Sequence, residues 1–278
     1  MTSALNQGTE AADPRFTNIE QWPTHLVVRR MIDDQIEGLQ EVNQQVSQIA
    51  IVAEAMARRL RFGGRLIYAG AGTSGRIAVQ DGVELQPTFG WPINRIDFLI
   101  AGGPAALTES VEGAEDDISS ADSAIDERKI CSDDVVICVA ASGRTPYTIG
   151  IAKAASKSGA LTVGISNNSN AELSKCVSYA IEISTGPEVI AGSTRLKAGT
   201  AQKGVLNALS TAMMLRLGFV ERGMMVSMQV TNEKLFKRAV GIIQTLVEVS
   251  AVEAEGLLTQ ANLDIRKAIA LSGSVIKN

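Results

Sequence analysis

The 278-residue sequence contains a single histidine, His25, and only three cysteines. Zinc clusters and Ser-His-Asp machinery both need histidine in the right company, and one imidazole at a helix start cannot supply a metal set. His25 falls near a helix start and reads as a surface or capping residue. Cys131, Cys138 and Cys176 are odd in number and lack C-x-x-C spacing, which points to buried, reduced thiols rather than disulfides or a metal site. Basic blocks are missing too: the net charge is −4, which argues against nucleic acid or an anionic membrane as partner. No apolar run reaches membrane-spanning length. The opening residues MTSALNQGTEAAD carry no charged-then-apolar leader, so the cytoplasm is the expected compartment. Acid–base chemistry is thereby left to carboxylates, lysine, tyrosine or cysteine.

What the chain does have is a large apolar fraction, 45%, with 20% charged residues. That is enough to bury a substantial core in one large domain, or one domain with a small appendage. Residues 1–24 are polar and broken by Pro14 and Pro23, and read as an extended arm. Thr24 is placed to cap a long helix from His25 to about Phe62, with Val28, Met31, Ile32, Ile36 and Leu39 on one stripe and Gly63-Gly64 as its end.

The stretch from Arg65 to Gly90 organises the rest of the chain. Leu66–Ala69 is a short apolar run that predicts a buried strand. Gly70-Ala71-Gly72-Thr73-Ser74-Gly75 is a glycine-rich turn, and a helix comes next, from about Arg76 to the neighbourhood of Glu84. A strand, a glycine turn and a helix together make an anion cradle, because the first helical turn has free N–H groups and a partial positive charge. Gly70, Gly72 and Gly75 also match G-x-G-x-x-G, a weak dinucleotide signal. The acid expected at the end of a second strand is missing, since Asp97 falls near that strand's start. A tight turn that holds nothing is the plain alternative.

Further strands are predicted at Arg95–Ala101, Val135–Ala141, Leu161–Ser166 and Tyr179–Ser184. Between the first two lies an acidic segment with Glu109, Glu112, Glu115, Asp116 and Asp117, a pattern that also describes a solvated face. A second polar glycine turn, Ser142–Tyr147, leads into a helix from about Thr148. A third, Gly192–Thr200, feeds a long helix to about Leu217. The tail from Thr231 is helical, with two or three small helices after Ser250. Strands alternating with helices predict a three-layer α/β/α fold on a parallel sheet. Ligands in such sheets bind beyond the carboxyl ends of the strands, where all three polar turns converge. Hydroxyl-rich turns without a Walker lysine suit a phosphate on a small molecule better than a nucleoside triphosphate.

Taken together, GAGTSGR (Gly70–Arg76) with Glu84 and PTFG (Pro87–Gly90), EGAEDD (Glu112–Asp117), ASGRTPY (Ala141–Tyr147), GSTRLKAGTAQK (Gly192–Lys203) and TNEKL (Thr231–Leu235) resemble the sugar isomerase (SIS) domain of N-acetylmuramic acid 6-phosphate etherases. The resemblance runs in order from about Leu60 to Leu235. It implies a SIS domain over residues 63–235, an N-terminal arm and helix over 1–62, and a small helical unit over 236–278. It also implies a bacterial, cytoplasmic lyase of cell-wall sugar recycling, needing no cofactor or metal. Such an enzyme removes D-lactate from its sugar phosphate, and works as a homodimer whose crevice is completed by a second copy.

Cleaving that ether takes one group to remove the C2 proton of the open-chain sugar and another to protonate the departing lactyl oxygen. By resemblance these are Glu115 and Glu84, with Glu112, Asp116, Asp117 and Glu188 as rivals for the base. Without the resemblance Glu84 would read as a helix-surface carboxylate. Phosphate is expected on Ser142, Thr145 and the backbone around Gly143, with Thr73, Ser74, Ser193 and Thr194 around the ligand. Arg144, Arg195 and Lys197 are either added charge or structural cations. Three departures stand out. The arm keeps Thr9, Glu10, Pro14 and Ile19 but has Asp13, Phe16 and Glu20 where the pattern has Asn, Ser/Thr and Asp. Asp81-Gly82-Val83-Glu84 replaces D-A-S-E, and Asn262-Leu263 stands where Gly-Gly or Gly-Asn is usual. Two other classes stay open: a sugar-phosphate aldose–ketose isomerase on the same fold, which keeps every substituent, and a sugar-phosphate sensor without turnover. The second is disfavoured by the presence of both Glu84 and Glu115 and by the absence of room for a second full sugar domain.

Overall fold

The computed structural model describes residues 8–273; the first seven residues of the expected arm and residues 274–278 lie outside it. Helices α1 (Thr24–Gln44) and α2 (Val46–Leu60) come first, followed by β1 (Leu66–Gly70), α3 (Gly72–Val83), α4 (Leu85–Phe89), β2 (Ile96–Ile100), α5 (Ser119–Glu127) and β3 (Val135–Val139). Then come α6 (Pro146–Lys157), β4 (Leu161–Ser166), β5 (Tyr179–Glu182), α7 (Lys197–Arg216), α8 (Glu233–Val247), α9 (Ala251–Gln260) and α10 (Ile265–Leu271). Among the described residues the strands form one parallel sheet, ordered β2-β1-β3-β4-β5. The central strands β1, β3 and β4 are buried along their whole length, as near-continuous apolar runs in a doubly covered sheet should be.

The chain divides into two compact units. The first comprises the chain up to Gly82 together with Ile96–Ser210, and holds the sheet, α1, α2, α5 and α6. The second comprises Val83–Arg95 and the chain from Thr211 onward. These units do not coincide with the divisions expected at 62 and 235. The first helices belong with the sheet because α2 buries Val52, Ala53, Met56 and Leu60. The second unit begins inside α7 and borrows the segment after α3. Its own core gathers Val226, Met228, Val240, Ile243, Leu258, Ile265 and Ile269. Ser250 and Glu253 form a reciprocal capping box at the start of α9. Asn262 and Leu263 both sit in the left-handed region, at φ 53° and 63°. Glycine at this pair is therefore the unstrained choice, and leucine carries a cost.

Several local expectations change. The single helix expected from His25 to Phe62 is interrupted at Gln45, and Pro23 rather than Thr24 holds the cap position. The arm is not open from Gly8 onward. It forms short 3-10 turns, and Phe16 and Ile19 are buried against Val189. Cys131 is exposed rather than buried, because it lies in the turn ahead of β3, whereas Cys138 is buried within β3. Burial pushes the Cys138 thiol up to about 12, which leaves it inert as a nucleophile. His25 is exposed on the first turn of α1. No helix among the described residues is long and apolar enough to cross a membrane.

Helix α1 is turned the opposite way from an ordinary surface helix. Its buried positions are Asp34 and Gly38, while Val28, Ile32, Ile36 and Leu39 are each about half exposed. Spaced at i, i+4, i+8 and i+11, these four make one uncovered apolar stripe.

Candidate active site

The strand order places a topological switch between β1 and β3: the chain leaves β1 for β2 on one side and returns to β3 on the other. In open parallel sheets this is where a crevice opens beyond the strand ends. The register pairs Gly70 with Val139, so the two strands finish level and release their following turns side by side. A cavity of about 420 Å³ lies there.

Its first wall is the start of α3. The glycine turn is itself helical from Gly72, four residues earlier than expected, so Thr73 and Ser74 stand in the first helical turn with its free N–H groups. Gly70 and Gly75 allow this. A Cβ on Gly70 would meet the Val139 carbonyl oxygen at 2.9 Å, and one on Gly75 would lie 3.1 Å from Gly70 backbone. The second wall is Ala141–Pro146, after β3. Gly143 has φ 64°, and a Cβ there would come within 2.4 Å of the Ala171 methyl. Ser142 Oγ accepts the Arg144 N–H at 3.1 Å, closing a tight turn. Gly192 and Thr194 supply a third wall, Glu115 a carboxylate, and Glu10 from the arm a second carboxylate.

Of the residues expected at the site, Thr73, Ser74, Ser142, Thr145, Thr194 and Glu115 line this cavity. Gly143 is buried within the Ser142 turn, and Ser193 lies half-buried between the lining Gly192 and Thr194. Lys197 is a correction. Its side chain is 2% exposed and its ammonium donates to Asp34 at 2.9 Å. The reason is Asp34, a buried carboxylate on α1 whose charge a lysine must balance. Glu188 is also drawn inward: its two oxygens accept the N–H groups of Lys197 and Ala198, both at 2.9 Å, and so anchor the start of α7. Burial raises its pKa, against the opposing pull of those bonds. It is not a free base.

Glu84 is exposed and comes directly after α3. The helix has 12 residues and stops at Val83, the residue before Glu84. Asp81, one turn before Glu84, is buried and accepts from Tyr68 at 2.8 Å and Ser210 at 3.3 Å. Burial raises its pKa, with the two hydroxyls working the other way. The glycine at 82 has a reason here, since a Cβ would meet Phe98 at 2.6 Å and Tyr68 at 2.9 Å.

Comparisons with known proteins agree with this layout. The N-terminal SIS domain of glucokinase regulatory protein matches residues 45–156, the general SIS domain 110–212, and the C-terminal lid domain of glucokinase regulatory protein 222–271. Among solved structures, a phosphoheptose isomerase from Francisella tularensis overlays with a TM-score of 0.52 at 16% identity, covering 70% of this chain and 98% of that one. This shows the SIS fold. An N-acetylmuramic acid 6-phosphate etherase of Deinococcus radiodurans is 42% identical over 263 residues, 95% of this chain and 86% of the relative. The chain belongs to the N-acetylmuramic acid 6-phosphate etherase family. A Streptomyces coelicolor etherase is 43% identical over 94% of this chain and 84% of its own length.

Within this etherase-family chain the acidic segment is sorted by structure. Asp117 is occupied, accepting Ser119 N–H and Oγ and Ser120 N–H at the start of α5. Those bonds hold its carboxyl below the usual range. Glu112 lines a neighbouring hollow of about 330 Å³. Of the five acidic residues Glu109, Glu112, Glu115, Asp116 and Asp117, Glu115 alone lines both that hollow and the main cavity. Arg144 is exposed and lines the cavity; Arg195 is exposed and does not. The residue that sequence reasoning passed over is Glu10. Its Thr-Glu pair was visible, but only the fold brings an arm from the start of the chain to the end of β3.

Proposed function

We propose that this chain cleaves the D-lactyl ether of N-acetylmuramic acid 6-phosphate, yielding N-acetylglucosamine 6-phosphate and D-lactate, in the bacterial cytoplasm during recycling of cell-wall sugar. The observation that carries this reading is a cavity at the β1/β3 switch, walled by two hydroxyl-bearing turns and Glu115, in a chain of the etherase family. Phosphate is taken by Ser142, Thr145, the backbone around Gly143, and Arg144. Thr73, Ser74, Ser193 and Thr194 surround the remaining ligand.

In the open-chain substrate the C1 aldehyde acidifies the C2 proton. Glu115 removes that proton, and Glu84 protonates the lactyl oxygen as the C3–O bond breaks. Lactate leaves and a C2–C3 double bond conjugated with the aldehyde remains. Water then adds: its oxygen bonds to C3, Glu84 takes its proton, and Glu115 returns one to C2. The decisive experiment is incubation of the purified protein with N-acetylmuramic acid 6-phosphate and an assay for lactate, with none released sinking the reading. A sugar-phosphate isomerase would leave the lactyl group in place. A sensor, the reading favoured by the glucokinase regulatory protein matches, would bind without turnover.

The working unit under this reading is a homodimer. One observation supports it. The apolar stripe Val28–Ile32–Ile36–Leu39 of α1 is uncovered, and such a stripe is normally buried against a partner. Because the crevice is read as completed by a second copy, Glu84 of one copy is taken to join Glu115 of the other. Mixing Glu84→Gln with Glu115→Gln protein tests this. After subunit exchange each heterodimer carries one site with both carboxylates, restoring about a quarter of wild-type activity at equal mixing. Recovery of none, or a monomer mass with full activity, would reject the shared site.

A further inference from the structure

Glu10 is held over the cavity by a dedicated clamp. Thr9, fully buried, donates its N–H to Asn168 Oδ1 at 3.1 Å. Asn168 Nδ2 donates in turn to Thr9 Oγ1 and to the Ala141 carbonyl, both at 3.1 Å. One amide thus ties the arm to the end of β3, next to the Ser142 turn. Gly8 fits under the same side chain, where a Cβ would lie 1.8 Å from Asn168 Oδ1. The next residue along, Glu10, lines the cavity with Gly192 and Thr194, and its Oε2 lies 3.3 Å from where a Cβ of Gly192 would be. Glycine at 192 leaves that carboxylate room.

We propose that Glu10 is a substrate-binding, specificity-determining residue: its carboxylate accepts hydrogen bonds from the hydroxyl or amide N–H donors of the sugar, and Asn168 is the positioning residue that keeps it there. This rests on the sugar-phosphate reading of the cavity. An ionised carboxylate is acceptor-only, as is a phosphate, so the two cannot pair. The phosphate goes to the donors around Ser142 and Arg144, and Glu10 is left to the part of the ligand that carries O–H and N–H groups. A carboxylate there repels another anion, so the lactyl carboxylate of the substrate has to lie away from Glu10. Glu10 takes no part in bond breaking, so it acts alike on ground state and transition state and sets KM.

The test is lactate release from N-acetylmuramic acid 6-phosphate by wild type, Glu10→Gln, Glu10→Ala, Asn168→Ala and the Glu10→Ala/Asn168→Ala double variant. Thermal shifts induced by inorganic phosphate are measured alongside. Losing a hydrogen bond to a charged group should raise KM about ten- to hundredfold, with kcat within a few-fold of wild type. Asn168→Ala should move KM the same way, and the double variant should be no worse than Glu10→Ala, because both changes remove one interaction. The phosphate-induced shift should survive in Glu10→Ala. Unchanged KM in an active Glu10→Gln enzyme, a fall in kcat alone, or loss of the phosphate response would overturn the role of Glu10. Wild-type protein that releases no lactate overturns instead the reading beneath it.

Discussion

Ala141–Tyr147 and Gly192–Thr200 share a recipe: each comes after a strand, each combines glycine with hydroxyls and a cation, and each leads into a helix. The first keeps its polar groups at the cavity, with Ser142, Arg144 and Thr145 lining it. The second divides. Gly192 and Thr194 reach the cavity, while Lys197 turns into the interior to meet Asp34. What separates them is a partner 163 residues away in sequence. Asp34 on α1 is buried and pairs with Lys197, and desolvating a charge unpaired is far more costly than giving up a surface lysine. Polar turns that look alike therefore split into groups that face ligand and groups that hold the frame.

The largest effect should come from the cavity side. Glu115→Gln keeps the shape of an exposed side chain, so thermal stability should stay near wild type. General acid–base catalysis is worth about 10²–10⁴-fold, which sets the expected fall in kcat. Exchange of the C2 proton with solvent deuterium should vanish in this variant and persist in Glu84→Gln, where the acid rather than the base is missing. Equal exchange in the two variants would show that the carboxylates have been given each other's roles.

The framework side should respond in stability. Asp34→Asn leaves the Lys197 ammonium buried with no counter-charge, and breaking such a pair costs about 3–5 kcal/mol. That corresponds to a drop in Tm of roughly 10 °C for a chain of this size. Asp34→Leu with Lys197→Met removes both charges and should recover most of the loss. A Lys197→Met variant with native stability but a raised KM would erase the contrast, placing Lys197 back among the ligand-binding groups.

The part of this architecture that was legible in sequence is the part set by short-range pattern. All five strands were found within two residues of their ends, because Val- and Ile-rich runs bounded by glycine leave little choice. That three polar turns can meet in one crevice is legible from their place after strands of a parallel sheet, whereas Thr73, Ser74, Ser142, Thr145 and Thr194 are singled out by the family resemblance. The misses depend on long-range pairing. Thr9 and Asn168 lie 159 residues apart, so nothing local distinguishes a clamped arm from a loose one. Val28, Ile32, Ile36 and Leu39 made a correct helical stripe whose direction was not readable. Periodicity reports that a helix has two faces, and Asp34 and Gly38 occupy the inner one only because Lys197 fills the space beside them. The Glu84 position near a helix end is legible in the sequence, since α3 stops at Val83.

The smallest effect sharpens the comparison from within the ligand-facing turn. Ser142 Oγ already accepts the Arg144 N–H at 3.1 Å, so closing its own turn is one job, and donating to phosphate is a second under the proposed function. A hydroxyl hydrogen bond is worth about 0.5–1.5 kcal/mol net and up to about 3 to a charged partner, so Ser142→Ala should raise KM roughly tenfold and leave kcat close to wild type. If turn closure were the main job, stability without ligand would fall while the thermal shift given by inorganic phosphate stayed the same size. If phosphate donation is the main job, stability without ligand is kept and that shift shrinks. The second pattern is expected, because the turn is already fixed by Gly143 packed against Ala171 and by the Leu173 N–H donating to the Gly143 carbonyl at 2.9 Å. A Ser142→Ala protein that loses stability with an undiminished phosphate response would move this serine to the framework class, beside Lys197.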